Sequence, residues 1–204
     1  MTRQQGVRLA TLLSVLILGF FAFGFWLSKP QQGEPMQWRA AYEESLWKPL
    51  QRQQLTLADA SAALGHGTLW MISSEGQPLL VSRYTLESDD LSWRAQAVLK
   101  LTPQQRDSLV AAQAWEPGLP DQPINSSVAD ALQDQPVLRM SLIPSEPLPL
   151  SDVQNTLGNP ELRMPVGEEG EEAWVYPRSG AVVAVDAEQA YSIMFGLRED
   201  LKGE

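Results

Sequence analysis

Residues 55–65 (LTLADASAALG) and 148–158 (LPLSDVQNTLG) carry one pattern twice, and a chain that repeats a pattern is constrained to build the same local structure twice. Seven identities fall at a single offset of 93 residues within a window of seventeen: Leu55/Leu148, Leu57/Leu150, Asp59/Asp152, Leu64/Leu157, Gly65/Gly158, Leu69/Leu162 and Met71/Met164. Both copies share a grammar of short helix, glycine stop and strand. In the first, Thr56 and Asp59 form an N-cap pairing, Ala58 to Leu64 are good helix formers, and Gly65 with Gly67 end the helix. In the second, Pro149 replaces Thr56, and Ser151 with Gln154 offers the cap.

After the first copy, Thr68 to Ser73, Pro78 to Thr85 and Leu91 to Leu101 alternate or run apolar between turn-forming segments, the pattern of an antiparallel meander. Thr102-Pro103 with Gln105 starts a helix that runs to about Ala114. Ser127 to Leu132 reads as a short helical turn, and Val137 to Ile143 alternates like a strand. Beyond the second copy, Leu162 to Met164, Ala173 to Tyr176, Ala181 to Val185 and Ala190 to Leu197 are the expected strands. Tyr84 and Tyr176 correspond if one residue is gained or lost between the copies.

The first 54 residues read differently. Leu9 to Ser28 is twenty residues without a charge, long enough as a helix to cross the roughly 30 Å of a bilayer core. Arg3 and Arg8 precede it, and only Lys29 lies close after it, so the positive-inside bias puts the N-terminus in the cytoplasm. A cleaved signal peptide is the alternative, but the run is long for one, and its small-x-small site, Ala22 to Gly24, lies inside the apolar stretch. Residues 30–35 form a polar linker with two prolines. Trp38, Tyr42, Leu46 and Trp47 then recur at helical spacing, predicting an amphipathic helix that packs on the following domain or lies in the membrane interface. The expected organisation is a cytoplasmic N-terminus (1–8), a transmembrane helix (9–28), a linker with juxtamembrane helix (29–54), and two α+β units (55–147 and 148–204). The fold class is α+β: an N-terminal transmembrane helix followed by two tandem helix-plus-antiparallel-meander units.

Charge narrows the partners. Arg3, Arg8 and Lys29 precede every acidic residue, so the remaining 12 basic residues face 25 acidic ones, a net −13 beyond Lys29. Such a domain is repelled by nucleic acid and by anionic headgroups. The chain has no cysteine, which excludes disulfides, thiolate metal sites and cysteine nucleophiles.

The run from Leu150 to Pro160 (LSDVQNTLGNP), followed by Trp174-Val-Tyr176, a glycine-containing turn and Ala181 to Val185, resembles the SmpA/OmlA (BamE-like) family. The resemblance covers about Leu148 to Phe195 and, more weakly, Leu55 to Leu101. The two-copy arrangement is similar to the β-lactamase-inhibitor-protein fold, in which tandem helix-plus-sheet units form one continuous sheet. The sequence departs from the family in lacking a lipid-modified cysteine, in carrying a membrane anchor, and in having His66-Gly67 where the second copy has Asn159-Pro160. The resemblance implies a non-enzymatic envelope domain that binds proteins.

Catalytic patterns have little support. His66 is the single histidine and sits between two glycines, with no HExxH spacing for a metal and no G-x-S-x-G for a serine nucleophile. Glu168, Glu169, Glu171 and Glu172 lack the alternating grammar of a calcium loop and read as a solvated hairpin tip. No phosphate-binding glycine motif occurs, and no cofactor or metal is expected. The possible partner-binding residues are His66, Trp70, Asn159, Trp174 and Tyr176, with the exposed sheet face and the loops after Gly65 and Gly158 as contact surfaces. The function expected is a single-pass inner-membrane protein whose periplasmic or extracytoplasmic domain binds envelope proteins, not an enzyme. Two alternatives stand beside it: a membrane-tethered hydrolase of envelope carbohydrate using paired Asp or Glu, and a periplasmic enzyme inhibitor.

Overall fold

The computed structural model describes residues 35–167 and 170–196. The expected anchor at 9–28, Glu168, Glu169 and the chain end from Leu197 lie outside the described residues. No helix of the described residues is long and apolar enough to cross a membrane.

The described chain is mixed α+β, with helices on one face of a large antiparallel sheet. It begins with α1 (Gln37–Ala41), a π-helical turn (Glu43–Trp47) and α2 (Lys48–Gln51). The expected single amphipathic helix is thus broken at Tyr42, and the break has a packing reason. Nine residues of regular α-helix would place Trp38 and Trp47 about 180° apart. The π turn, marked by Trp47 N–H donating to Tyr42 O at 3.1 Å, rotates them together, and both are fully buried with ring centroids 5.6 Å apart.

Helix α3 (Leu57–Leu64) has the expected capping box, with Asp59 N–H donating to Thr56 Oγ1 at 3.2 Å and Thr56 N–H to the Asp59 carboxylate at 3.1 Å. The meander follows as β1 (Thr68–Ser74), β2 (Gln77–Ser88) and β3 (Leu91–Leu99). Next come α4 (Pro103–Gln113), capped by Thr102 and Gln105, the two-residue β4 (Gln122–Pro123), and α5 (Ser126–Ala131), capped by Asn125. Strand β5 (Val137–Pro144) and the short β6 (Leu148–Pro149) lead into α6 (Leu150–Leu157). The chain ends with β7 (Leu162–Pro165), β8 (Glu172–Tyr176), β9 (Ala181–Asp186) and β10 (Gln189–Phe195).

The sheet order is β4-β1-β2-β3-β5-β10-β9-β8-β7, with β6 also pairing β10. Helices α3 and α6 keep the 93-residue offset at both ends, and their glycine stops match: Gly65 and Gly158 have φ of 87° and 84° and donate to Ser61 O and Gln154 O at 2.9 and 2.8 Å. The correspondence breaks at the N-terminus, where α6 starts after Pro149 with no side-chain cap, and Ser151 lies inside the helix rather than capping it.

It breaks again after the glycine. Leu69 and Met71 are buried, whereas Leu162 and Met164 are 51% and 40% exposed. The second copy spends one residue more between stop and strand, and with side chains alternating by two that single step turns Leu162 to the opposite face.

Alternation divides the sheet cleanly. One face carries the row Leu69, Ser82, Ala97, Met140, Phe195, Ala181 and Tyr176, all buried. The helices bury their apolar residues against this inner face in one continuous cluster.

Candidate functional site

The opposite, outer face extends across the whole sheet. One row crosses eight strands in unbroken register: Thr68, Arg83, Gln96, Ser141, Met194, Val182, Val175 and Leu162. Every member is half-buried or exposed. Half of the row, from β1 to β5, is polar; the other half, from β10 to β7, is apolar. Val81 and Val98 also point outward and are buried, yet they belong to no part of the inner cluster. They lie between Trp70 and Arg139 in register, so long side chains on their own face shelter them.

The polar half is organised around Arg83. Its guanidinium sits 4.9 Å from the centre of the Trp70 ring and ion-pairs with Asp121, which precedes β4. Trp70 is fixed in turn by its indole N–H, which donates to Thr68 Oγ1 at 2.9 Å. Arg94 and Arg139 point outward from β3 and β5, and no described residue forms an ion pair with either. The acidic residues that share this face, Glu87 and Asp186, sit near strand ends.

A cleft of about 600 Å³ opens at the β1 edge of the sheet, lined by Ser61, His66, Thr68, Trp70, Asp130 and Gln133 among others. It joins two of the residues singled out from sequence, His66 and Trp70. Its lining holds one carboxylate, Asp130, so this cleft lacks the facing acid pair that glycoside cleavage needs. Among the described residues no group of three or more His, Cys, Asp or Glu is placed to hold a metal ion.

The other three residues lie elsewhere. Asn159 is exposed in the turn after the α6 stop. Trp174 and Tyr176 are each 3% exposed on the inner face, which removes them from any surface the free domain offers. Arg163 lies 4.1 Å over the Trp174 ring, and the Trp174 indole N–H donates to Glu172 at 2.6 Å. The Tyr176 hydroxyl is buried without a hydrogen-bond partner. Burial raises its phenol from 10.0 to about 12, with the nearby Arg163 charge opposing the rise.

The residues sequence reading passed over are the outward ones: Arg83, Arg94, Arg139, Val175, Val182 and Met194. Their signal was alternation, since each stands beside a core position in its strand. Comparison with known proteins leaves this geometry to stand by itself: no family model, no curated protein and no solved structure matches the chain.

Proposed function

We propose that this protein is a single-pass membrane protein of the cell envelope whose extracytoplasmic domain, built as two tandem helix-plus-meander units of the SmpA/OmlA kind, binds another protein and catalyses nothing. The observation that carries the reading is the outer sheet face, an eight-strand surface with half-exposed apolar side chains and no described helix packed upon it. Contiguous exposed apolar surface of this kind marks interaction sites. The tandem reading draws on the matched helices α3 and α6 and on the sheet order, in which the last strands of the two halves, β5 and β10, pair antiparallel at the centre. An approximate two-fold axis between those strands exchanges Arg83 with Val175 and Tyr84 with Tyr176. The anchor reading draws on Leu9 to Ser28 and on the arginines before it.

One experiment tests both parts. In full-length protein with a single cysteine at exposed Ser73, an impermeant maleimide applied to intact spheroplasts is expected to label the domain. After gentle solubilisation, a reproducible partner is expected to co-purify and to be lost with Val182→Asp on the outer face. Labelling only after lysis overturns the topology, and a partner retained by the aspartate variant overturns the surface.

A further inference from the structure

We propose that the outer sheet face takes an acidic, apolar-striped segment of a partner protein, with carboxylates meeting Arg94 and Arg139 and an apolar stripe lying on Val175, Val182 and Met194. This rests on the reading of that face as a protein contact and adds the chemistry of what it contacts.

The first argument is charge. Beyond Lys29 the chain carries twice as many acids as bases, 25 against 12, yet the middle of this face presents arginines. Arg83 is already neutralised by Asp121 and stacked on Trp70, so its charge is spent within the domain. Arg94 and Arg139 are not. They stand on adjacent strands, and because Arg139 pairs with Val98, four residues beyond Arg94, they are separated by about 13 Å along the strands. That distance matches carboxylates four residues apart on one face of an extended segment. Fixed charges of this sort set orientation and speed encounter when a partner supplies the opposite sign.

The second argument is the polarity boundary. Met194, Val182 and Val175 continue the Gln96–Ser141 row, which passes between the two arginines, with no charged residue among them, ending at exposed Leu162. An occupant must therefore be charged on one side and apolar on the other. A nucleic acid or an anionic bilayer would also attract arginines, but either brings charge over a wide area, and the surrounding net negative charge of the domain repels it. A protein segment with two or three carboxylates brings charge only where the arginines stand.

The test places a photo-reactive amino acid at Gln96, in the row between Arg94 and Arg139, in the full-length protein in its own membranes, and sequences the segment that cross-links. The expected product is one protein segment with Asp or Glu beside apolar residues. Its yield is expected to fall at least tenfold in the R94E/R139E double variant and to persist in R94K/R139K, which also controls for folding. A segment without acidic residues, or a yield indifferent to charge reversal, overturns the acidic assignment and leaves the face as a protein contact. Cross-linking to lipid, to a second copy or to this chain itself, or none at all, overturns the protein-contact reading with it.

Discussion

Gly67 stands just before β1, and one ring explains why it is glycine. A Cβ at Gly67 would fall within 3.0 Å of the Ser82 hydroxyl oxygen and of the Tyr84 ring, so only glycine lets the chain pass over that tyrosine. Tyr84 is buried and its hydroxyl lies 3.3 Å from Ser61 Oγ on α3. Tyr176, its counterpart about the sheet's approximate two-fold, is equally buried, but its hydroxyl has no hydrogen-bond partner, and Gln154 rather than a serine stands at the offset of Ser61. Leaving a buried hydroxyl unpaired costs about 1–3 kcal/mol, whereas a made hydrogen bond contributes about 1 kcal/mol. Tyr176→Phe is therefore expected to hold or raise stability in urea unfolding, and Tyr84→Phe to lower it by about 1 kcal/mol. The same residue predicts a pH dependence. With its native phenol raised to about 12 against 10.0 for the free group, the unfolded chain loses the proton first. Stability from Tyr176 is thus complete below pH 10 and falls as pH rises from 10 towards 12, and that part of the fall should vanish in Tyr176→Phe. An unchanged alkaline limb in the phenylalanine variant would show that the hydroxyl is solvated.

At the level of the element, helix α3 was legible from its cap, its helix formers and its glycine stop, and α6 from its glycine stop and its match to α3 alone, since the cap expected at Ser151 is not formed; both helices start and stop at the repeat's offset. Strands β1, β2, β3, β5, β8, β9 and β10 were legible within a few residues, also from local signals. The facing of β7 was not, since it depends on one extra residue in a loop, and alternation carries no absolute phase. Nor were β4 and β6, whose two residues each pair only because a neighbour's edge is near. Strand β7 itself illustrates how an edge is kept from growing. Val166 N–H donates to Glu171 O at 3.0 Å, so in antiparallel alternation the even-numbered residues bond to β8 and the odd ones face out. Of the outward positions, Arg163 has an N–H to offer and Pro165 has none. The strand is long-sided and apolar at Leu162 and Met164, so proline is the device that blunts it. Pro165→Thr restores an outward donor and is expected to give a concentration-dependent dimer or larger species in size-exclusion chromatography, with no loss of sheet by circular dichroism. A variant that stays at the parent's size at high concentration would show that the edge is protected by something other than Pro165.

For the whole molecule, the feature that joins the two halves came from the segment whose sequence left two readings open. For Trp38 and Trp47 packing on the following domain is the more frequent reading, but a membrane interface stands beside it, because an aromatic stripe looks the same in both settings. The structure buries them over the seam. Trp38 lies 5.8 Å from the Trp93 ring on β3 and 5.8 Å from Phe195 on β10, while Trp47 stacks on Phe195 at 4.5 Å. Polar contacts strap the same segment to both sides. Gln37 N–H donates to Asp89 in the β2–β3 turn at 2.9 Å, Met36 N–H to Thr156 on α6 at 3.0 Å, and Gln51 Nε2 to Ser179 O before β9 at 2.9 Å. The outer face was legible in outline but not in its polarity, since a row that crosses eight strands exists only after pairing and register are set. Its continuity across the two halves depends on the seam staying closed. Trp38→Ala empties the centre of the strap, and removing a fully buried tryptophan typically costs about 3–5 kcal/mol. Because Trp38 touches both halves, the loss should appear in both. Amide hydrogen exchange is expected to accelerate together in β3 and in β10, with a single unfolding transition moved to lower urea. Trp70→Ala on the outer face, half-exposed and outside the cluster, serves as the comparison and is expected to shift the transition much less. Faster exchange confined to β3, with β10 unchanged, would mean that the segment belongs to the first half alone and that β5 and β10 hold the seam by themselves.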